Sequence, residues 1–141
     1  MDDSKRKLWR HGMLLFLIGL LTGLAETTFT NVRMGLAAHL EGVMNGMFLL
    51  ALGVVWPELR LSPKTKAIAY ASVLYGTYAN WAVTTLAAIF GTGALSPITA
   101  AGLHAPRWQE ILVTVGFMSV GIAIIGGTVL VLVGLRGEHT S

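Results

Sequence analysis

The chain has 141 residues, of which 54% are apolar and only 12% are charged. Soluble globular domains carry roughly 25% charged residues, so this composition argues against a water-soluble fold. The chain contains no Cys, which excludes disulfides, a thiolate nucleophile and Cys-ligated zinc or iron–sulfur sites.

Four apolar segments follow one another along the chain. They cover residues 11–29, 34–56, 66–90 and 111–135. Each is long enough to cross a hydrocarbon core of roughly 30 Å, which takes about 20 helical residues. Lipid offers no partner to free backbone N–H and C=O groups, so helices are expected rather than open sheets. The sequence therefore predicts one all-α domain over residues 1–141, an integral membrane bundle of four transmembrane helices.

The first segment also has the features of a secretory signal peptide. A basic stretch precedes an apolar run, and the run ends in Gly23-Leu24-Ala25, whose small residues suit a signal peptidase. We favour retention of this segment as a transmembrane helix, because it carries part of a motif pattern described below.

Positive charge is unevenly distributed between the predicted loops. With a cytoplasmic N-terminus, 8 of the 10 Lys and Arg side chains lie on the cytoplasmic side, and only Arg33 and Arg107 lie on the other. Because cytoplasmic loops carry the excess of Lys and Arg, both termini are expected in the cytoplasm, in a bacterial-type inner membrane. This charge adjoins apolar segments, so it indicates topology and no nucleic-acid partner. The long loop over 91–109 then lies on the far side, as a lid or a plain connection.

Polar side chains at membrane depth are costly, so each is a candidate functional residue. The densest set lies in the second and third segments and comprises His39, Glu41, Asn45, Tyr75, Tyr78 and Asn80. Helical spacing places His39, Gly42 and Gly46 on one face, with Asn45 near it and Glu41 pointing elsewhere.

A histidine on a face otherwise built of glycine leaves room for a flat, bulky group. Haem is the obvious such group, because a neutral imidazole is a common axial ligand of haem iron. The alternative is structural: Gly42 and Gly46 form a small-residue helix contact, of the kind that Gly19 and Gly23 in the first segment also offer, and the polar side chains form hydrogen bonds between helices.

Glu26 supports a different class of function. A single carboxylate on the first of four short spans is also typical of small multidrug-resistance exporters, which exchange protons for cations. The threonines that follow Glu26 place it in the headgroup zone, however, and this weakens the exporter hypothesis.

Several motifs appear in a characteristic order. They are Arg10-His11-Gly12-Met13, Arg33 to Gly42, the stretch His39-Leu-Glu-Gly-Val-Met-Asn45-Gly46-Met47, Trp56-Pro57, Lys64-Thr65-Lys66 and Tyr78-Ala-Asn80. From Arg10 to about Phe90 this pattern resembles the hydroxylaminobenzene mutases and, more distantly, the styrene oxide isomerases.

The resemblance implies a small four-helix membrane enzyme that assembles as a homotrimer, with haem b between neighbouring subunits. It implies His39 as the axial ligand, and Asn45 and Asn80 as residues that orient the substrate. The isomerases have Asp and Tyr where this chain has Gly76 and Thr84, so the part of the pocket specific for epoxides differs.

The expected activity is therefore the rearrangement of an aryl hydroxylamine to an ortho-aminophenol, with epoxide isomerisation as an alternative. Haem iron on His39 would act as a Lewis acid on the hydroxylamine oxygen, with Gly42 and Gly46 beside the haem. Glu41 or Tyr78 would move the ring proton as general base or acid. The small aromatic substrate would reach the site through the lipid bilayer.

Overall fold

The computed structural model describes residues 3–136, which form helices and their connections. Two short 3₁₀ turns lie at Glu26–Thr28 and Trp56–Glu58. The α-helices are α1 (Asp3–Ala25), α2 (Val32–Val55), α3 (Pro63–Phe90), α4 (Pro97–Ala100) and α5 (Arg107–Leu135). The predicted all-α fold is confirmed, whereas the predicted location of the two termini falls outside the described residues.

Capping residues define where the inner helices begin and end. Asn31 precedes α2 and accepts a hydrogen bond from the N–H of Met34 at 3.1 Å, and Ser62 caps α3 ahead of Pro63. Both arrangements satisfy N–H groups that a helix start leaves unpaired. Gly91 ends α3 in the left-handed region at φ 70°, where its N–H donates to the carbonyl of Ala87.

Three stretches of the described chain are long and apolar enough to span a membrane. They are Asp3–Thr28, Val32–Glu58 and Arg107–Leu135. These stretches indicate an integral membrane protein. Helix α3 has 28 residues, but its tyrosines, threonines and Asn80 interrupt it, so that no stretch of span length within it is as apolar as those three. The fourth predicted span, residues 66–90, therefore stays a prediction.

Helices α1 and α2 pack through their backbones. A Cβ atom added to Gly19 would lie 2.5 Å from the backbone nitrogen of Val43, and one added to Gly46 would lie 2.6 Å from that of Phe16. Only glycine allows such an approach, so this is the small-residue helix contact that the sequence offered as the structural alternative.

The long helices pack in chain order: α1 against α2, α2 against α3, and α3 against α5. Leu15, Leu49 and Val73 are completely buried in the core between them. Because α2 and α5 both pack on α3, an open cleft forms over α3 between their exposed edges. This cleft positions the candidate site.

The predicted long loop is anchored at both ends. The carboxylate of Glu110 accepts hydrogen bonds from the backbone N–H groups of Gly93, Ala94 and Ala105, at 2.9–3.4 Å. The side chain of Asn31 donates to the carbonyl of Thr99 at 3.2 Å. The loop is therefore a structured connection that hydrogen bonds hold against the starts of α2 and α5.

Candidate active site

His39 is half-buried on α2 and faces α1. Its Nδ1 lies 2.8 Å from the carbonyl oxygen of Gly19, and a Cβ atom on Gly23 would lie only 2.6 Å from the same nitrogen. A carbonyl oxygen can only accept, so Nδ1 carries the proton and donates it. In the neutral ring this leaves the lone pair on the second nitrogen, Nε2. This is the tautomer that an imidazole needs in order to bind a metal through Nε2.

The space predicted beside Gly42 and Gly46 is filled by α1. An added Cβ on Gly46 would lie 2.7 Å from the carbonyl oxygen of Gly12, and one on Gly42 would lie 2.9 Å from the backbone nitrogen of Gly19. These two glycines were expected to leave room for haem, and in the single chain they do not. Helical spacing identified the shared face correctly, but it could not show which helix covers that face.

Glu41, Asn45 and Asn80 come together as an amide–carboxylate cluster. The Nδ2 of Asn45 donates to Oε2 of Glu41 at 3.2 Å, and the Nδ2 of Asn80 donates to the same oxygen from α3. Glu41 thus points away from the face of His39, as expected, whereas Asn45, which was expected near that face, lies beside Glu41, because residues four apart on a helix are neighbours. Both amides therefore meet the same carboxylate oxygen, Oε2.

The cluster opens into a cleft of about 240 Å³ between α2 and α5, which we call the Glu41 cleft. Most of its lining is apolar. It is lined by Glu41, Met44, Asn45, Phe48, Ile124 and Thr128. An apolar cleft with a few convergent polar groups is typical of a site for a small molecule.

Tyr78 and Tyr75 lie apart from this cluster. The hydroxyl of Tyr78 is 3.0 Å from Nδ1 of His11 and also donates to the His11 carbonyl at 3.4 Å, near the start of α1. The hydroxyl of Tyr75 is 2.7 Å from that of Ser119 on α5. Of the two proposed proton carriers, Glu41 is therefore the one that the structure places beside both asparagines.

His39 and the amide–carboxylate cluster occupy different faces of α2. Glu41 follows His39 by two residues, which corresponds to about 200° around a helix. The contacts agree with this angle. His39 packs on Gly19 of α1, whereas Glu41 accepts a hydrogen bond from Asn80 of α3. Glu41 and Asn45 also line the cleft that faces α5. A single chain therefore does not bring the predicted metal ligand and the predicted substrate-orienting residues into one pocket.

Glu26 lies in the 3₁₀ turn after α1, and its Oε2 is buried without a hydrogen-bond partner among the described residues. Glu26 is not among the described residues that line the Glu41 cleft. Sequence reasoning missed Ile124 and Thr128, which α5 contributes to that cleft. Their segment is apolar on every side, so no periodic pattern marks the face that turns toward α2.

Comparison with known proteins covers nearly the whole chain. Residues 4–136 match the family model described as styrene oxide isomerase. The chain is 45% identical to hydroxylaminobenzene mutase HabB of Ectopseudomonas oleovorans over 132 residues, which are 93% of this chain and 80% of the relative. It is 39% identical to hydroxylaminobenzene mutase HabA of the same organism, over 91% of this chain and 96% of the relative.

No solved structure matches the chain significantly. The resemblance that the motifs indicated is nevertheless confirmed at the level of the sequence. Homology to two mutases over more than nine-tenths of the chain supports an enzyme that rearranges its substrate. The chain therefore belongs to the styrene oxide isomerase family and is a mutase-like isomerase.

Proposed function

We propose that this protein is a membrane enzyme that rearranges hydroxylaminobenzene-type aryl hydroxylamines to 2-aminophenols. The observation that carries this proposal is the amide–carboxylate cluster, because it presents an acceptor oxygen of Glu41 in an apolar cleft. The substrate class follows from the names of the two relatives. The reaction moves a hydroxyl group from nitrogen to the ring without net oxidation, so it requires no electron donor.

In this mechanism the carboxylate of Glu41 accepts the proton that the ring carbon loses when it gains the hydroxyl group, and the proton then passes to the nitrogen, whose bond to oxygen has broken. A positioned general base of this kind contributes typically 10²- to 10⁴-fold in rate. Asn45 and Asn80 hold the carboxylate through Oε2 and present their amides to the polar end of the substrate. Amides suit this place because they both donate and accept hydrogen bonds without ionising in a low-dielectric site.

We propose haem b as the cofactor and His39 as its axial ligand. The hydrogen bond from Nδ1 to the Gly19 carbonyl leaves Nε2 available, which fits an iron ligand. His39 would be the residue that holds the haem, and one imidazole would suffice because the porphyrin would supply further ligands to the iron. The described residues contain no group of three or more His, Asp or Glu side chains that would bind a bare metal ion. When bound, haem iron supplies a Lewis acid that polarises the N–O bond.

The separation of His39 from the cluster within one chain supports a site shared between subunits. We therefore propose a homotrimer with haem between neighbours, where His39 of one subunit faces the Glu41 cleft of the next. Residues 66–90 complete a bundle of four transmembrane helices with both termini in the cytoplasm. A site at membrane depth receives small aromatic substrates directly from the bilayer.

If the site is shared between neighbouring subunits, two inactive variants should restore activity when they assemble into the same trimer. Co-expression of a His39→Ala chain with an Asn80→Ala chain leaves about a quarter of the interfaces intact if subunits mix randomly in a closed ring. We therefore expect about a quarter of the wild-type activity from the whole co-expressed population and about a third from mixed trimers, which each have one intact interface of three, although each variant alone is inactive. Affinity tags of two kinds isolate the mixed species, and their inactivity would contradict a shared site.

Turnover by the purified protein tests the proposed function itself. Protein extracted in detergent is incubated with hydroxylaminobenzene, and the aminophenol isomers are separated by chromatography. We expect a coloured protein with the Soret band of an imidazole-ligated haem, and 2-aminophenol as the product. Conversion of styrene oxide alone would favour the epoxide isomerase, and an inactive, colourless protein would contradict the proposal.

A further inference from the structure

We infer that Ile124, supported from behind by Gly76, sets the width of the aromatic ring that the Glu41 cleft accepts. This inference rests on the proposed function, and it assigns a specificity-determining role to a pair of residues on α3 and α5. Ile124 lines the cleft together with Glu41 and Asn45. The polar end of the substrate belongs at the carboxylate, so the ring lies against the apolar wall.

The size of the cleft fits one aromatic ring. A dry cavity of about 150 Å³ takes benzene, and the Glu41 cleft has about 240 Å³. Phe48 and Met44 form the apolar wall on α2, and Ile124 faces them from α5. The distance between these walls limits how wide a ring can enter beside the carboxylate.

Gly76 determines where the Ile124 side chain stands. A Cβ atom added to Gly76 would lie 2.5 Å from Cγ1 and 2.7 Å from Cδ1 of Ile124, closer than real Cβ contacts. It would also lie 3.2 Å from the backbone nitrogen of Ile124, so α5 as a whole has little room to yield. Any side chain at position 76 therefore pushes Ile124 away from α3, and this narrows the cleft.

Two substitutions are thus expected to act in opposite directions. Ile124→Ala removes the wall and widens the cleft, whereas Gly76→Ala displaces the wall and narrows it. The double variant Gly76→Ala/Ile124→Ala removes the clash, because the small side chain at position 124 leaves space for the new methyl group. Recovery in the double variant separates a local effect on cleft width from general damage to the fold.

The experiment compares kcat/KM for hydroxylaminobenzene with kcat/KM for the wider 1-naphthylhydroxylamine. A methylene-sized change in an apolar pocket shifts discrimination by about 10- to 200-fold, so we expect Ile124→Ala to raise the naphthyl-to-phenyl ratio at least 10-fold. Gly76→Ala should lower the ratio by a similar factor, and the double variant should return toward the wild-type value. Gly121→Ala is the matched control on α5, since nothing lies within 4 Å of an added Cβ there.

A binding measurement keeps this inference separate from the proposed function. The affinities of the unreactive amines aniline and 1-naphthylamine are measured by calorimetry for the same four variants and the wild type. A shift in their ratio without any turnover would support the inferred wall and contradict the mutase activity. Unchanged ratios in both Ile124→Ala and Gly76→Ala, or no binding of either amine to the wild type, would overturn the inference.

Discussion

Glu41 is the residue on which the proposed chemistry depends. Its carboxylate lies at the edge of an apolar cleft, and two amides donate to a single oxygen atom. Hydrogen bonds of this kind hold the carboxylate in one orientation at the lining of the cleft. Burying such a group would be costly without these donors.

Replacement of Glu41 by Gln tests the role of the carboxylate as a base. Glu41→Gln keeps the size of the side chain but removes the basic oxygen, so we expect kcat to fall about 100-fold or more while haem content stays unchanged. Tyr78→Phe is the matched comparison, because Tyr78 is bonded to His11 instead. We expect it to keep activity within about threefold, as for a residue outside the reaction. Retained activity in Glu41→Gln together with lost activity in Tyr78→Phe would make Tyr78 the proton carrier.

The two asparagines are predicted to position the substrate rather than the cofactor. Asn45→Ala and Asn80→Ala should keep haem, yet each should lose about 2–4 kcal/mol of transition-state stabilisation, a rate drop of roughly 30- to 1000-fold. If they only join helices, each substitution lowers stability by about 0.6 kcal/mol and leaves activity intact. Activity per bound haem, measured beside the melting temperature, separates these cases. Full activity per haem in both variants would contradict the catalytic role.

Some of this site follows from the sequence and some does not. The spacing of Glu41 and Asn45 by four residues predicts their contact directly, although we expected Asn45 to lie near the face of His39. The hydrogen bond from Asn80 to Glu41 depends on how α3 packs against α2, and no local sequence pattern specifies this packing. The hydrogen bond from His39 to Gly19 depends likewise on the α1–α2 contact.

At the scale of the helices, hydropathy located the four long helices but placed their starts too late, and it gave no sign of α4. Helix α1 begins at Asp3 rather than near residue 11, because the basic stretch is helical although it is not apolar. Helix α3 begins at Pro63, where Ser62 supplies the cap, and α5 begins at Arg107. Hydropathy marks the part of a helix that meets lipid, whereas capping residues mark where the helix itself begins.

The glycine contact between α1 and α2 makes a prediction about stability. An added methyl group at Gly42 would overlap the backbone of α1, so Gly42→Ala should cost about 1–3 kcal/mol. Gly126→Ala on α5 is the control, because nothing lies within 4 Å of an added Cβ there. Thermal unfolding in detergent should show a lower melting temperature for Gly42→Ala alone. Equal melting temperatures would contradict the tight packing of these helices.

At the scale of the whole molecule, the helices pack in chain order and leave the Glu41 cleft open on one side. His39 faces α1, so one chain holds the two halves of the proposed site on different faces of α2. The sequence could identify both halves from polar residues at membrane depth. Only the packing of α2 between α1 and α3 shows that they are separate.

The distribution of charge makes a prediction about topology. A reporter fused after Ser141 should be cytoplasmic, and one inserted near Ser96 should lie on the opposite side, because positive charge is retained in the cytoplasm. The wild-type sequence has no Cys, so a single Cys introduced at position 96 is the only thiol in the chain. A membrane-impermeant thiol reagent should label this Cys only from outside. Both reporters on one side would contradict four spans, and a mature N-terminus at Glu26 would support the signal peptide.

Turnover is proposed to depend on a haem that the imidazole of His39 holds. His39→Gly removes that ring and leaves space for free imidazole, so one measurement follows both the Soret absorbance and the formation of 2-aminophenol during titration with imidazole. We predict that the variant loses haem and activity together and that imidazole restores both in parallel. A variant that keeps wild-type haem and activity without imidazole would contradict the claim.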